Sequence, residues 1–76
     1  MLEQIIKLFE EVLERDSGSV SAVDIFRDYE EWDSLAYLSI ISAIDEAYGI
    51  VISRDDFAKL RNIADVSKLI QAVQES

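Results

Sequence analysis

Residues 33–50 read DSLAYLSIISAIDEAYGI, a strongly apolar stretch that opens on two polar residues and closes on a glycine. Asp33 and Ser34 are both residue types that cap helix starts, and the apolar residues behind them recur at helical spacing. Gly49 followed by isoleucine is typical of a left-handed helix end with its hydrophobic contact. We therefore predict a helix that begins at Asp33 or Ser34 and ends near Tyr48.

Three more helices are predicted around this one. Ser53 with Asp56 forms a capping-box-like pair that opens a short third helix, and Asn62 with Asp65 repeats the pattern for a fourth. The fourth helix is expected to pack through Ile63, Val66, Leu69, Ile70 and Val73. The first helix has apolar residues at helical spacing, namely Leu2, Ile5, Ile6, Phe9, Val12 and Leu13. Its intervening charged residues are assigned to a solvated face: Glu3, Lys7, Glu10, Glu11 and Glu14.

The segment 17–32 shows no sustained periodicity and is predicted to be a long connection between the first and second helices. Ile25 and Phe26 are expected to anchor it in the core, which makes it an ordered loop. On the second helix, the residues expected to face the core are Leu38, Ile41 and Ile44. The sequence thus predicts an all-α, four-helix bundle with a short third helix and a long first loop, in one domain over residues 1–76.

Composition excludes several classes of function. The chain has 76 residues, half of them apolar, and 16 acidic against 7 basic residues give a net charge of −9. This charge argues against nucleic acid and anionic membrane surfaces, and favours partners with basic faces. Histidine and cysteine are absent, so the usual general base and an intrinsic thiol nucleophile are missing. We expect a monomeric cytoplasmic protein with no enzymatic activity, no secretory leader, no membrane-spanning segment and no metal site.

Ser34 is the residue that points to a specific function. A serine at a helix start lies beside free backbone N–H groups and the positive end of the helix dipole, which favour an attached phosphate. With its length, charge and helix order, and with Asp33-Ser34-Leu35 before the second helix, the chain resembles the acyl carrier protein family. The resemblance implies that Ser34 bears a covalent 4′-phosphopantetheine arm, installed from coenzyme A by a phosphopantetheinyl transferase. It also implies an acyl cargo held as a thioester.

The same resemblance implies partners that load, transfer or condense the acyl group, through basic or apolar docking faces. The residues that we predict to contact these partners surround Ser34 or lie at the end of the second helix: Trp32, Asp33, Leu35, Tyr37, Asp45 and Glu46. Trp32 could instead anchor the loop, and the acidic pair could be a solvated surface.

Three other functions remain open from the sequence. The chain could be an aminoacyl or peptidyl carrier, in which the core would not admit the cargo. It could be a helical protein-interaction module, in which Ser34 is only a helix cap. A carboxylate-based enzyme is the third, although 76 residues leave little room for a substrate cleft.

Overall fold

The computed structural model of the protein describes residues 1–75, and these form a bundle of four α-helices. The helices are α1 (Leu2–Val12), α2 (Ser34–Tyr48), α3 (Arg54–Ala58) and α4 (Ile63–Glu75). One 3₁₀ turn, Phe26–Asp28, lies in the long connection between α1 and α2. Helix α1 packs against both α2 and α4. The predicted architecture, including the short third helix and the long first loop, is confirmed.

The end of α2 and the starts of α3 and α4 occur where the capping residues predicted them, whereas α1, which its apolar pattern predicted to end near residues 15–18, ends at Val12. Gly49 ends α2 in the left-handed conformation, with φ of 68°. The Ser53 hydroxyl accepts a bond from the Asp56 N–H at 3.1 Å and so caps α3. At the start of α4 the pairing is reciprocal: Asn62 Oδ1 accepts from the Asp65 N–H at 2.9 Å, and Asp65 Oδ2 accepts from the Asn62 N–H at 3.3 Å. This is the capping box that the sequence indicated.

The core differs from the prediction at three positions. Phe26 is fully buried as expected. Three predicted core side chains are exposed instead: Ile25 in the loop by 41%, Leu38 on α2 by 56% and Val73 on α4 by 42%. Ile25 contributes through its backbone instead, in an isolated antiparallel bridge to Asn62. Val20 is the second loop residue that enters the core. The large side chains that are fully buried are Ile5, Phe9, Phe26, Ile40, Ile44, Phe57, Ile63, Val66 and Ile70.

Glu10 is buried, so the prediction that all the charged residues of α1 face solvent is wrong at this position. It is only 7% exposed, and its Oε2 accepts hydrogen bonds from the backbone N–H groups of Gly18 at 2.8 Å and Val20 at 3.4 Å. The carboxylate therefore closes the start of the loop onto α1. Gly18 has φ of 87°, a conformation that a residue with a Cβ adopts only with strain.

The middle of the loop is fastened to the start of α4. The Ala22 carbonyl accepts from the Ala64 N–H at 3.0 Å, and the Asp24 carbonyl accepts from the Ile63 N–H at 3.3 Å. The first N–H groups of a helix have no partner within the helix. These two loop carbonyls supply partners for two of them, so the loop and the start of α4 hold each other in place.

The end of the loop is held by a polar cluster. Arg15 makes an ion pair with Glu31 at 2.8 Å, and its guanidinium lies 4.0 Å from the centroid of the Tyr29 ring. The Tyr29 hydroxyl donates to Asp24 Oδ2 at 2.8 Å. Burial, followed by this hydrogen bond and the Asp24 charge, raises the pKa of Tyr29 above its usual value. Tyr29 therefore stays a neutral donor at physiological pH.

We expect Glu10→Leu to lower the free energy of unfolding by about 1–3 kcal/mol, because two backbone N–H groups would lose their acceptor inside the protein. Urea unfolding followed by circular dichroism measures the change. The control is Glu11→Leu, which removes the same charge from the neighbouring exposed position; it should change stability by no more than about 0.5 kcal/mol. Equal effects of the two substitutions would contradict the role assigned to Glu10.

Asp65 makes stability depend on pH. Its carboxylate accepts from the backbone N–H groups of Arg61 and Asn62, and these bonds lower its pKa below the usual value of an aspartate. A group with a lowered pKa in the folded state stabilises above its unfolded pKa, and this stability is lost as the pH falls through the folded value. We therefore expect the stability difference between wild type and Asp65→Asn to be constant above about pH 5 and to shrink below about pH 4.

Thermal melts between these pH values test this prediction. The control is Asp55→Asn, which removes one negative charge from an exposed position in the first turn of α3. A difference between wild type and Asp65→Asn that grows on acidification would mean that the carboxylate does not stabilise the capping box.

Candidate functional site

Asp33, and not Ser34, caps helix α2. Asp33 has an extended backbone with φ of −152°, and its Oδ1 accepts from the Ala36 N–H at 2.8 Å. Ser34 is the first residue of the helix and is exposed, as is Leu35, which is 72% exposed. Among residues 1–75 no side-chain hydrogen bond engages the Ser34 hydroxyl. Asp33 therefore caps the helix, and the Ser34 hydroxyl is exposed and not used as a cap.

Ser34 opens onto a cleft of about 490 Å³ between the start of α2, the 3₁₀ turn and α3. The cleft is open to solvent on one side and combines aromatic, apolar and cationic groups. Its lining residues are Arg27, Trp32, Asp33, Ser34, Tyr37, Leu38, Arg54, Phe57 and Ala58. Residues from three separate segments of the chain therefore meet next to one exposed hydroxyl.

The wall of the cleft is built from stacked aromatic rings. Trp32 lies parallel to Phe57, with 6.3 Å between centroids and 4° between planes, and it also contacts Phe26 at 5.0 Å. Tyr37 meets the Phe57 ring edge-on at 5.1 Å. Such offset and edge-to-face pairs are favourable ring arrangements. Trp32 is half-buried, so it anchors the loop as one of its two interpretations predicted; its contact with partners stays a prediction.

Arg27 is held rigidly at one side of the cleft. Its guanidinium donates to the Phe57 carbonyl at 2.8 Å and to the carbonyl of Leu60, two residues beyond the end of α3. It also lies over the rings of Phe26 and Phe57, at 4.9 and 5.3 Å from their centroids. Arginine suits this position because its planar group can stack on a ring and bond to carbonyls at the same time.

Arg54, at the first position of α3, also lines the cleft and is exposed. Within residues 1–75, its guanidinium makes no hydrogen bond, ion pair or ring contact. Sequence reasoning missed both Arg27 and Arg54, because nothing in their spacing links them to Ser34. The available signal was their rarity, since the chain has only 7 basic residues.

This donor set fits a phosphate ester on the Ser34 hydroxyl. The guanidinium groups of Arg27 and Arg54 and the carboxylate of Asp33 line the cleft, which gives the lining a formal charge of +1. A phosphodiester carries one negative charge, and guanidinium groups are its preferred planar partners. The aromatic wall offers a surface to the apolar part of an attached arm.

The predicted partner residues fall into two separate places. Asp33, Leu35 and Trp32 surround Ser34, whereas Asp45 and Glu46 lie exposed near the other end of α2. Asp45 lies eleven positions along the helix from Ser34, which is roughly 16 Å of axial rise. Tyr37 is half-buried against Phe57. The structure therefore gives one surface around the serine and a second, acidic one at the far end of the helix.

Two other features of residues 1–75 bear on the site. No helix in this range is long and apolar enough to cross a membrane. No group of three or more carboxylates in this range is placed to hold a metal ion.

Comparison with known proteins gives a consistent result. Residues 3–70 match the family model described as phosphopantetheine attachment site. An acyl carrier protein of Rickettsia massiliae is 29% identical over 72 residues, covering 95% of this chain and 84% of the relative. A meromycolate extension acyl carrier protein of Mycobacterium leprae is 31% identical over 71 residues, covering 93% of this chain and 62% of the relative. The solution structure of a holo acyl carrier protein from Geobacter metallireducens superposes with a TM-score of 0.80 at 25% identity, covering 93% of this chain and 82% of that one.

Proposed function

The chain belongs to the phosphopantetheine-attachment family of acyl carrier proteins, and from this premise we propose that Ser34 is its attachment residue. The family fixes the general role. The protein is a carrier and not an enzyme, its cofactor is covalent 4′-phosphopantetheine, and it interacts with a phosphopantetheinyl transferase and with biosynthetic enzymes. The attachment residue, the class of cargo and the docking surfaces are the proposal.

The assignment of Ser34 rests mainly on one observation, which is that Asp33 and Ser34 have different roles at the start of α2. Asp33 caps the helix through Ala36, and Ser34 keeps an exposed hydroxyl beside the cleft. In the attachment reaction, the Ser34 Oγ–phosphorus bond forms while the diphosphate bond of coenzyme A breaks. The hydroxyl proton is lost and adenosine 3′,5′-bisphosphate leaves. The arm supplies the thiol that this cysteine-free chain lacks.

We propose that the cargo is an acyl group. The core contains fully buried isoleucines from two helices, Ile40 and Ile44 of α2 and Ile63 of α4, within one apolar cluster. Burial of an alkyl chain gains about 0.8 kcal/mol per methylene, whereas a charged amino acid gains little from the same environment. The acyl carrier names of the relatives favour the same cargo.

The docking surface proposed for the transferase and the cargo enzymes is the exposed start of α2. Leu35 follows the attachment residue directly and is 72% exposed, so it can enter an apolar depression on a partner. Asp33, Trp32 and Tyr37 border the same surface, and the acidic pair Asp45 and Glu46 provides a second contact for basic faces. Residues 1–76 would act together as a single, monomeric carrier domain.

Incubation with coenzyme A, magnesium and a broad-specificity phosphopantetheinyl transferase is expected to add one arm to Ser34. Intact mass measures the addition, and a thiol reagent should count zero thiols before and one after, because the chain contains no cysteine. Ser34→Ala should remain unmodified. The control Ser42→Ala, on the exposed surface of α2, should be modified like wild type. Labelling of Ser34→Ala, or no labelling of wild type by several active transferases, would overturn the assignment.

An acyl chain that enters the core should shift the methyl NMR signals of Ile40, Ile44 and Ile63. The comparison is between the protein with a medium-length acyl thioester and the protein with the bare arm, with an acetyl thioester as the control for the thioester itself. Ile41, which is half-buried, should shift less. Identical core signals in all three forms would favour an aminoacyl or peptidyl cargo that stays in solvent.

A further inference from the structure

The positive charge beside Ser34 is unusual for this protein. The chain has a net charge of −9, yet two of its 7 basic residues line the one cleft that contains Ser34. The only acidic residue that lines the cleft, Asp33, is occupied with the Ala36 N–H. The side chains that line the cleft therefore carry a net positive charge although the chain as a whole is acidic, and this charge favours an anion.

The two arginines are held in different ways. Arg27 donates two of its five guanidinium N–H groups to the carbonyls of Phe57 and Leu60, and these bonds fix its position. Arg54 has no partner within residues 1–75 and keeps its donors for a ligand. A fixed charge next to a free guanidinium is an arrangement that binds an oxyanion, because the free group supplies paired N–H bonds.

We propose that Arg54, assisted by the fixed charge of Arg27, binds the phosphodiester of the arm on Ser34. This inference rests on the proposed attachment at Ser34. It assigns to Arg54 a positioning role: the guanidinium holds the first part of the arm over the cleft and so sets the direction in which the arm leaves the protein.

The phosphodiester is a better ligand for this site than an anionic group of the cargo. The phosphorus is bonded directly to the Ser34 oxygen, so the phosphate stays beside the cleft at a high effective concentration. A carboxylate on the cargo would lie at the far end of a flexible arm, and folding the arm back would cost conformational entropy. Every arm carries the phosphate, whatever its cargo, so the pairing is expected in the holo protein without cargo.

Nuclear magnetic resonance of the apo and holo proteins tests the pairing without any enzyme assay. On attachment of the arm, the Nε–Hε signal of Arg54 should shift, and the ³¹P signal of the holo protein should move when Arg54→Gln is introduced. Both differences should be large at about 0.01 M salt and largely lost at about 1 M, where the screening length falls from about 30 to about 3 Å. The control is Arg61→Gln, which removes the same charge from an exposed arginine outside the cleft.

Intact mass separates the failure of this inference from the failure of the proposed function. If wild type takes up no arm at Ser34, both proposals fall. If the arm is attached but the Arg54 signal does not change, or Arg54→Gln and Arg61→Gln move the ³¹P signal equally, the pairing is wrong and the attachment stands. The proposed pairing would also be wrong if the Arg54 signal shifted only when the cargo carries a carboxylate, because the cargo would then be the bound anion.

Discussion

The candidate site depends on the ring contacts that the Phe57 side chain makes. Helix α3 has only five residues, far too few to be stable alone, so its position comes from packing. Its buried phenylalanine meets Phe26 at 5.4 Å, Trp32 at 6.3 Å and Tyr37 at 5.1 Å. One ring thereby joins α3 to the 3₁₀ turn, to the end of the loop and to α2. Without this contact, the cleft beside Ser34 would lose one of its walls.

A long loop can form part of a well-defined site only if other contacts offset the conformational entropy that is lost when the loop is ordered. Fixing the backbone costs about 1–2 kcal/mol per residue, and this connection is longer than most in small domains. It is held at its start by the Glu10 carboxylate, in its middle by the first N–H groups of α4, and at its end by Arg15 and Trp32. Most of these contacts are polar, so the loop is positioned by directional bonds as much as by burial.

The helices and their ends could be predicted because the signals are local. Caps act within three or four residues, and the periodicity of α1 and α4 is clear from neighbouring side chains. On α2 nearly every side is apolar, so the pattern could not show that Ile40 faces the core while Leu38 faces solvent. The burial of Glu10 was equally invisible, because its partners are backbone groups 8 and 10 residues away.

Ser34 could be singled out from the sequence as the candidate site residue, whereas the two arginines of the cleft could not. Asp33 and Ser34 are adjacent in sequence and act on the same helix start, so their pattern is visible in the chain. Arg27 and Arg54 reach the cleft only because the loop and α3 fold around Phe57. Part of the electrostatic character of the site is therefore a property of the tertiary structure.

The composition of the chain also suits the chemistry of a carrier. A thioester is reactive toward thiols and toward water activated by a general base, so a carrier must not attack its own cargo. The chain contains no cysteine and no histidine. Within the cleft, the phenol of Tyr37 packs edge-on against Phe57, and the Asp33 carboxylate is held by the backbone of α2. With the arm attached at Ser34 as proposed, the groups nearest to it would hold a charged arm in place without supplying a nucleophile that would release the cargo.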